Sequence, residues 1–179
     1  MMRSWSLALG AVAASMIAGS AVGQAAPARP PALPSMLRQW AGEWRGSGWL
    51  LTVAGERVEF DLAESVSEKA GGTVLLLDGH GIRTDSVGRG RTTHDGISLI
   101  FPGAAGHYRW HGHEAATGLV DTDATLLADG VEWSIHPAGS VTVRFTIALD
   151  STTWHERGEV STDGATWTRI MEMTLRRAR

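Results

Sequence analysis

Histidines concentrate in one stretch of the chain, GHYRWHGHEAATG, which spans residues 106–118. His111 and His113 are two residues apart, so on a β-strand both imidazoles project from the same face as Arg109. Such a His-x-His pair can bind zinc if the fold supplies further ligands, and the chain has no cysteine to provide thiolates. In the alternative interpretation Trp110 packs inward and the histidines face water. We favour this alternative because Arg109 disfavours a nearby cation, and His111 and His113 stay as the metal candidates.

Charged side chains also interrupt faces that are otherwise apolar. Glu64 has the same parity as Phe60 and Leu62 in the stretch RVEFDLAESV, and Glu156 has the same parity as Trp154. A carboxylate on the inward face of a sheet is costly unless it is paired or hydrated. These residues therefore indicate either a structural ion-pair network or a polar cluster that anchors a ligand between tryptophan walls. The candidate ligand-binding residues are Glu64, His80, Trp110, Arg144, Trp154 and Glu156.

Catalysis is an alternative function for the same residues. His80 lies two residues from Asp78, and with Asp78 or Glu64 it could form an acid–base pair in an enclosed cavity. The sequence shows no nucleophile elbow, phosphate-binding loop or paired metal motif. We therefore assign no catalytic residue, since a function has to be argued from a defined site.

Alternating polar and apolar residues dominate the chain after Gly42, which is the pattern of half-buried strands. Turn signals such as Ala54-Gly55 separate the runs and suit hairpins, and Asp95-Gly96 suggests a break in the fourth strand. Ten strands in series are too many for a flat sheet, so we predict an all-β fold, a closed antiparallel up-and-down barrel with a short N-terminal helix. The strands are predicted near 43–54, 57–67, 73–83, 91–101, 106–113, 119–127, 130–136, 141–149, 152–160 and 166–176.

The N-terminal region precedes this pattern and differs from it in composition. Arg3 is followed by an apolar run and then by small residues, the order of a secretory signal peptide cleaved after Gly23 or Ala25. Ser35 can cap a short helix that Gly42 ends. The predicted segments are a signal peptide at 1–25, a Pro/Ala-rich tether at 26–34 and the barrel domain at 35–179.

Composition narrows the classes of partner and the destination. Of 16 basic residues, one lies in the predicted signal peptide, so the mature chain has 15 basic against 19 acidic residues and a net charge of −4. This balance disfavours nucleic acid as a partner. The apolar run of the signal peptide is shorter than the roughly 20 residues that span a bilayer, so we expect no integral membrane segment. Without cysteines the fold forms no disulfides, and we expect a periplasmic or secreted bacterial protein.

The stretch GEWRG, residues 42–46, resembles the Gly-x-Trp motif that opens the calycin barrels, the group of lipocalins and fatty-acid-binding proteins. Over 36–177, including YRWHGH and WHERGEVSTDGATWTRIMEMTLRR, the chain resembles a family of bacterial calycin-like barrels of unknown function. The resemblance implies that Trp44 packs at the closed end of the barrel beneath an arginine from the last strand, Arg176 or its neighbour Arg177. The structural motif residues are Gly42, Trp44, Gly46 and Arg176.

The opening GEWRGSG also resembles the nitrobindin-type barrels, which bind haem through a histidine on a late strand. The last two predicted strands contain only His155, which alternates with Trp154 and is expected to point outward. Residues 161–179 contain no histidine. This departure disfavours haem and leaves His80 or His107 as an unusual ligand.

These observations favour an exported barrel that binds a small apolar or amphipathic molecule without a cofactor, as a monomer or weak homodimer. Three alternatives stay open: a barrel enzyme with an internal histidine–carboxylate pair, a haem-binding barrel, and a structural or interaction protein without a ligand. Parity alone does not say which strand faces line the barrel, because both faces of strand 73–83 are apolar.

Overall fold

Ten antiparallel strands and one short α-helix form the part of the chain that the computed structural model describes, residues 30–84 and 89–178. The elements are α1 (Ser35–Gln39), β1 (Gly42–Leu51), β2 (Arg57–Lys69), β3 (Val74–Thr84), β4 (Gly90–Pro102), a 3-10 turn (Ala104–Gly106), β5 (Tyr108–Glu114), β6 (Gly118–Leu126), β7 (Gly130–Ile135), β8 (Thr142–Leu149), β9 (Thr153–Ser161) and β10 (Thr168–Arg177). Each strand pairs with its neighbours in sequence, and β1 pairs with β10. The predicted closed up-and-down barrel is therefore confirmed. The predicted signal peptide lies outside the described residues.

The alternation that predicted the strands is visible in β2. Its even-numbered residues from 58 to 66 are buried, whereas Arg57, Glu59 and Asp61 are exposed. Because the sheet closes on itself, one face of every strand lines the interior and the other faces solvent. The parity of a residue therefore decides whether it belongs to the interior.

The predicted break in the fourth strand is wrong, since β4 runs without interruption over Gly90–Pro102. A β-carbon on Gly96 would come within 3.0 Å of the carbonyl oxygen of His113 on β5. The glycine therefore allows a close approach of two strands. The irregularity of this hairpin lies nearer its turn, where the register between β3 and β4 shifts after Gly81.

The helix caps one end of the barrel, which we call the deep end. Leu37 and Trp40 are fully buried there, and the rings of Trp40 and Trp154 meet edge to face at 4.7 Å. The indole N–H of Trp44 donates to the carbonyl oxygen of Trp40 at 2.9 Å. Aromatic contacts of this kind add about 0.5–1.5 kcal/mol each beyond the area they bury. Among the described residues, no helix is both long and apolar enough to cross a membrane.

The start of the helix differs from the prediction. Pro34 occupies the N-cap position, no side chain caps the helix, and Ser35 is its first residue. The fixed φ of proline, −63° in this case, suits the entry to a helix. Gly42 begins β1 instead of ending the helix. Leu33, which falls in the predicted tether, is buried and donates its N–H to the carbonyl of Gly72 at 2.9 Å, so the last tether residues pack with the barrel.

Arg177, at the end of β10, joins the helix to the barrel. Its guanidinium carbon lies 4.2 Å from the centre of the Trp44 ring. The same group donates hydrogen bonds to the carbonyl oxygens of Gln39 at 2.6 Å, Ala41 at 2.7 Å and Ser151 at 2.9 Å. Carbonyls at a helix C-terminus lack partners within the helix, so this one side chain satisfies them while it covers the indole.

The neighbouring arginine does not share this role. Arg176 is exposed on the outer face and donates to the hydroxyl of Thr153 at 2.5 Å. The assignment of Arg176 to the closed-end motif is therefore corrected to Arg177, because Arg177 is the residue opposite Trp44 in the β1–β10 register.

The two motif glycines are required for steric reasons. Gly42 has φ +145°, and a β-carbon there would overlap the guanidinium of Arg177. A β-carbon on Gly46 would overlap the carbonyl oxygen of Thr174 on the paired strand. Both glycines therefore let the chain approach the end of β10 closely.

Replacing Arg177 tests this anchoring. We expect Arg177→Ala to lower the free energy of unfolding by about 2–4 kcal/mol, because it removes a ring contact and leaves three carbonyls without their donor. Arg176→Ala removes the same charge from the outer face and should cost less than about 1 kcal/mol. Urea denaturation followed by tryptophan fluorescence measures both, and equal losses would contradict the anchoring role of Arg177.

Candidate functional site

The interior of the barrel changes character along its axis. At the deep end, large apolar side chains are fully buried and fill the space; they include Leu75, Ile100, Val131, Ile147 and Leu175. Towards the opposite end, the mouth, apolar side chains still face inward on β1, β2 and β7–β10. On β3–β6, and at one point of β9, several inward-facing positions are instead glycine or a short polar residue. These positions include Gly79, Gly81, Gly96, Ser98, Gly112, Thr122 and Gly158. The wall formed by β3–β6 therefore contributes less side-chain volume to this part of the interior.

Glu64 and Glu156 face this interior, and each residue is only 7% exposed. Glu64 lies opposite Gly79 on β3, and a β-carbon on that glycine would overlap the Glu64 carboxyl group. Gly79 therefore makes room for the acid. Glu156 accepts a hydrogen bond from the indole N–H of Trp154 at 3.2 Å.

Burial changes the ionisation of both acids. It raises the pKa of Glu64 from 4.5 to about 8, and repulsion from Glu156 and Asp78 adds to the increase. Burial likewise raises the pKa of Glu156 to about 7, against a smaller opposing effect of the Trp154 hydrogen bond. Among the described residues, no lysine or arginine pairs with either acid. At neutral pH Glu64 is therefore mainly protonated, and a protonated carboxyl both donates and accepts hydrogen bonds.

His94 completes the cluster and is not among the residues predicted from the sequence. Its Nε2 atom lies 3.9 Å from a carboxyl oxygen of Glu64, and burial lowers the pKa of its imidazole. The signal was available, because His94 shares its parity on β4 with Ser98 and the buried Ile100. His94 is thus the histidine that lies beside Glu64.

Aromatic rings line the interior beside the acids. Trp110 and Trp133 stack with their centres 4.7 Å apart, and Trp133 stacks on Phe145 at 4.3 Å. The indole N–H of Trp133 is buried without a hydrogen-bond partner among the described residues. The predicted inward positions of Trp110 and Trp154 agree with the structure, with Trp154 at the deep end. The stack gives the interior a flat apolar wall with an unused donor.

Two predicted members of the polar cluster lie elsewhere, and His80 is the first. It is on the outer face of β3 with its side chain 58% exposed, 4.0 Å from Asp95, because its neighbours Gly79 and Gly81 take the inward positions. Its exposure also removes it as an internal acid–base partner of Glu64.

Arg144, the second, also lies on the outer face of the barrel. Its guanidinium binds Glu159 at 2.9 Å and covers the ring of Trp167 at 3.9 Å. The physical reason is the stacking of Phe145 inside the barrel, which turns the preceding residue outward. Arg144 therefore belongs to a surface ion pair and does not neutralise the interior acids.

The histidines of 106–118 face solvent. His111 and His113 are exposed on β5, and the Nδ1 atom of His111 lies 3.6 Å from Asp121, which also binds Arg109. Among the described residues, no group of three histidine, aspartate or glutamate side chains is arranged to hold a metal ion.

The architecture defines a ten-stranded antiparallel barrel with an acidic interior cluster. No protein-family model matches the chain, and no curated protein matches it. Among solved structures it resembles Rv2717c from M. tuberculosis, with a TM-score of 0.59 at 13% identity, over 82% of this chain and 99% of that chain. It also resembles the S-type phycobiliprotein lyase CPES from Guillardia theta, with a TM-score of 0.54 at 8% identity, over 80% of this chain and 90% of that one. At these identities the likeness shows the fold alone.

The raised pKa values make the stability of the barrel depend on pH. Glu64 and Glu156 bind protons more tightly in the folded than in the unfolded chain, so their contribution is full below about pH 4.5 and is lost as the pH rises through about 7 to 8. We expect Glu64→Gln, which mimics the protonated acid, to reduce this pH dependence. At about pH 9 it should raise the free energy of unfolding by roughly 2–4 kcal/mol.

Urea denaturation at a series of pH values measures the effect. Glu59→Gln is the matched control, since it removes a carboxylate from an exposed position on the same strand. The control should follow the wild-type pH profile. If the free energy of unfolding of Glu64→Gln depends on pH as steeply as that of the wild type, Glu64 ionises in the ordinary range for a carboxyl group.

Proposed function

We propose that this protein is an exported barrel that binds a small amphipathic molecule in its interior. The observation that carries the proposal is the pair of buried acids, Glu64 and Glu156, which lack a cationic partner among the described residues. Burying an ionisable group without a compensating charge costs free energy, and a bound molecule that hydrogen-bonds to the carboxyl groups would offset part of that cost.

The chemistry of the lining indicates what the ligand offers. Glu64 and Glu156 can accept hydrogen bonds, and the unpartnered N–H of Trp133 can donate one. The stacked rings of Trp110, Trp133 and Phe145 suit a flat apolar body. A few convergent polar groups within an apolar wall are typical of small-molecule sites. The ligand of this proposal is therefore a compact aromatic or alicyclic molecule with at least one hydrogen-bonding group.

The main alternative, a structural ion-pair network, is found on the other side of the sheet. Outer-face arginines pair with acids across strands: Arg109 with Asp123 at 2.7 Å, and Arg144 with Glu159 at 2.9 Å. The interior acids take no part in these pairs. The distribution of ion pairs therefore favours ligand binding as the reason for the interior carboxyls.

Export is part of the proposal and rests on the signal-like sequence of residues 1–25. Expressed with its own N-terminus in a Gram-negative host, the protein should be recovered from the periplasmic fraction. Its intact mass should be that of a chain beginning at residue 24 or 26. Size-exclusion chromatography of that material should show a monomer or a weak homodimer. Recovery of the uncleaved chain from the cytoplasm alone would contradict export.

Ligand binding is tested with the neutral fluorescent probe N-phenylnaphthylamine, which has two aromatic groups and one N–H donor. We expect saturable fluorescence enhancement with a dissociation constant in the range of about 1–10 μM. Ser98→Phe places a ring over the inward-facing Gly112, since a β-carbon on that glycine would lie only 2.5 Å from the Ser98 hydroxyl. This substitution should weaken binding at least about tenfold by filling the interior.

Ile97→Phe is the matched control, because Ile97 is the adjacent residue and is exposed on the outer face. It should change the affinity by less than about twofold. Circular dichroism checks that both variants retain the barrel. Absence of saturable binding to the wild type, or equal binding by a folded Ser98→Phe variant, would contradict an interior site.

A further inference from the structure

A second polar feature lies at the mouth of the barrel, apart from the interior acids. A pocket of about 320 Å³ opens between the ends of the first four strands. Leu50 and Val58, which form its apolar part, are inward-facing residues of β1 and β2. The pocket is therefore placed at the entrance to the interior. Its lining consists of Leu50, Thr52, Glu56, Val58, Arg83, Arg91, Thr92 and Thr93.

Two arginines of this pocket face each other across strands. Arg83 on β3 is directly opposite Arg91 on β4 in the register of the sheet. Like charges in this arrangement repel, which is unfavourable for folding unless an anion lies between them. Among the described residues, neither guanidinium makes an ion pair with a carboxylate, although Glu56 lines the same pocket.

Other arginines of the barrel behave differently. Arg57, Arg109, Arg144 and Arg169 each pair with a glutamate or aspartate. Arg45 and Arg176 also face each other, across β1 and β10, but they lie on the outer face and Arg176 donates to Thr153. Arg83 and Arg91 differ from that pair because they line a pocket. Arg83 and Arg91 lie where the proposed ligand would enter the barrel interior.

The hydroxyl group of Thr93 supplies an independent indication of a ligand. Its Oγ1 atom is buried and has no hydrogen-bond partner among the described residues. Thr92 and Thr93 line the same pocket as the two arginines, so their hydroxyl groups border the space in which a bound group would lie. A hydroxyl can donate to a carboxylate or phosphate oxygen, as a guanidinium does.

We propose that the ligand is an amphipathic anion whose acidic group, a carboxylate or a phosphate, is held at the mouth by Arg83 and Arg91. Its apolar body then points inward, towards the aromatic stack. The arrangement of charges sets this orientation, because the two guanidinium groups at the mouth attract an anion, whereas neither buried acid has a lysine or arginine beside it among the described residues. The inference rests on the proposed function and adds the charge and direction of the ligand.

A pair of related probes tests it. Anilinonaphthalene sulfonate contains the aromatic amine of N-phenylnaphthylamine with an added anionic group, and its sulfonate stands in for the acidic group of the ligand. We expect Arg83→Gln combined with Arg91→Gln to weaken binding of the sulfonate about tenfold to hundredfold. Binding of the neutral probe by the same variant should change by less than about twofold. The wild-type preference for the sulfonate should decrease as the salt concentration rises.

Arg57→Gln is the matched control. Arg57 is also near the mouth, but it lies on the outer face, pairs with Glu59 at 2.8 Å and covers the ring of Trp49. It should leave the affinities for both probes unchanged. Competition against the bound sulfonate by dodecanoate, dodecyl phosphate and inorganic phosphate then distinguishes a carboxylate ligand from a phosphate ligand, and an amphipathic ligand from a free anion.

The outcomes separate this inference from the function on which it rests. If the neutral probe binds and the double arginine variant affects both probes equally, the anion site is wrong and interior binding stands. If inorganic phosphate displaces the bound sulfonate as effectively as the dodecyl anions do, the proposal that the ligand is amphipathic is also overturned. If neither probe binds the folded wild type, both the proposed function and this inference fail.

Discussion

The pairing of β1 with β10 is the constraint on which the other features of the barrel depend. It closes ten strands into one sheet, leaves no unpaired edge and divides every strand into an inner and an outer face. It also brings Arg177 opposite Trp44, so the closure of the sheet and the attachment of the helix occur at the same place. Ten strands enclose more space than the eight whose side chains just fill a small barrel. The lumen therefore has to be filled, capped or used.

The protein fills and caps one end of that lumen and places buried polar groups further along it. At the deep end, indole rings and the helix exclude water. On β3–β5, inward-facing glycines reduce the side-chain volume, and Gly79 leaves space for the carboxyl group of Glu64. Burial of an acid in such a setting is tolerated because protonation removes the charge. The acids lie at the centre and the arginines at the mouth. The two ends of the interior therefore differ chemically, which would not be so in a symmetric apolar cavity.

The pairing of charged side chains depends on the face of the sheet and on the position along the barrel axis. Acids and arginines on the outer face pair across neighbouring strands. Where such a pair is exposed, as for Arg109 and Asp123, water screens the charges and the pair contributes little to stability. The same residue types inside or at the rim have no such partner among the described residues. The unpaired groups are therefore better candidates for function than the more numerous paired ones.

Much of the fold was determined by the sequence alone. Period-two alternation is a local property, so it revealed ten strands, their antiparallel order and the shared parity of Glu64 with its apolar neighbours. Tertiary structure decided what parity cannot. Both faces of β3 contain leucines, so the sequence did not show that His80 lies outside, and only the packing of Phe145 turned Arg144 outward. Two contacts depend on the register between strands: His94 lies beside Glu64, and two arginines face each other at the mouth. Closure of the barrel sets these registers, and the local sequence does not encode them.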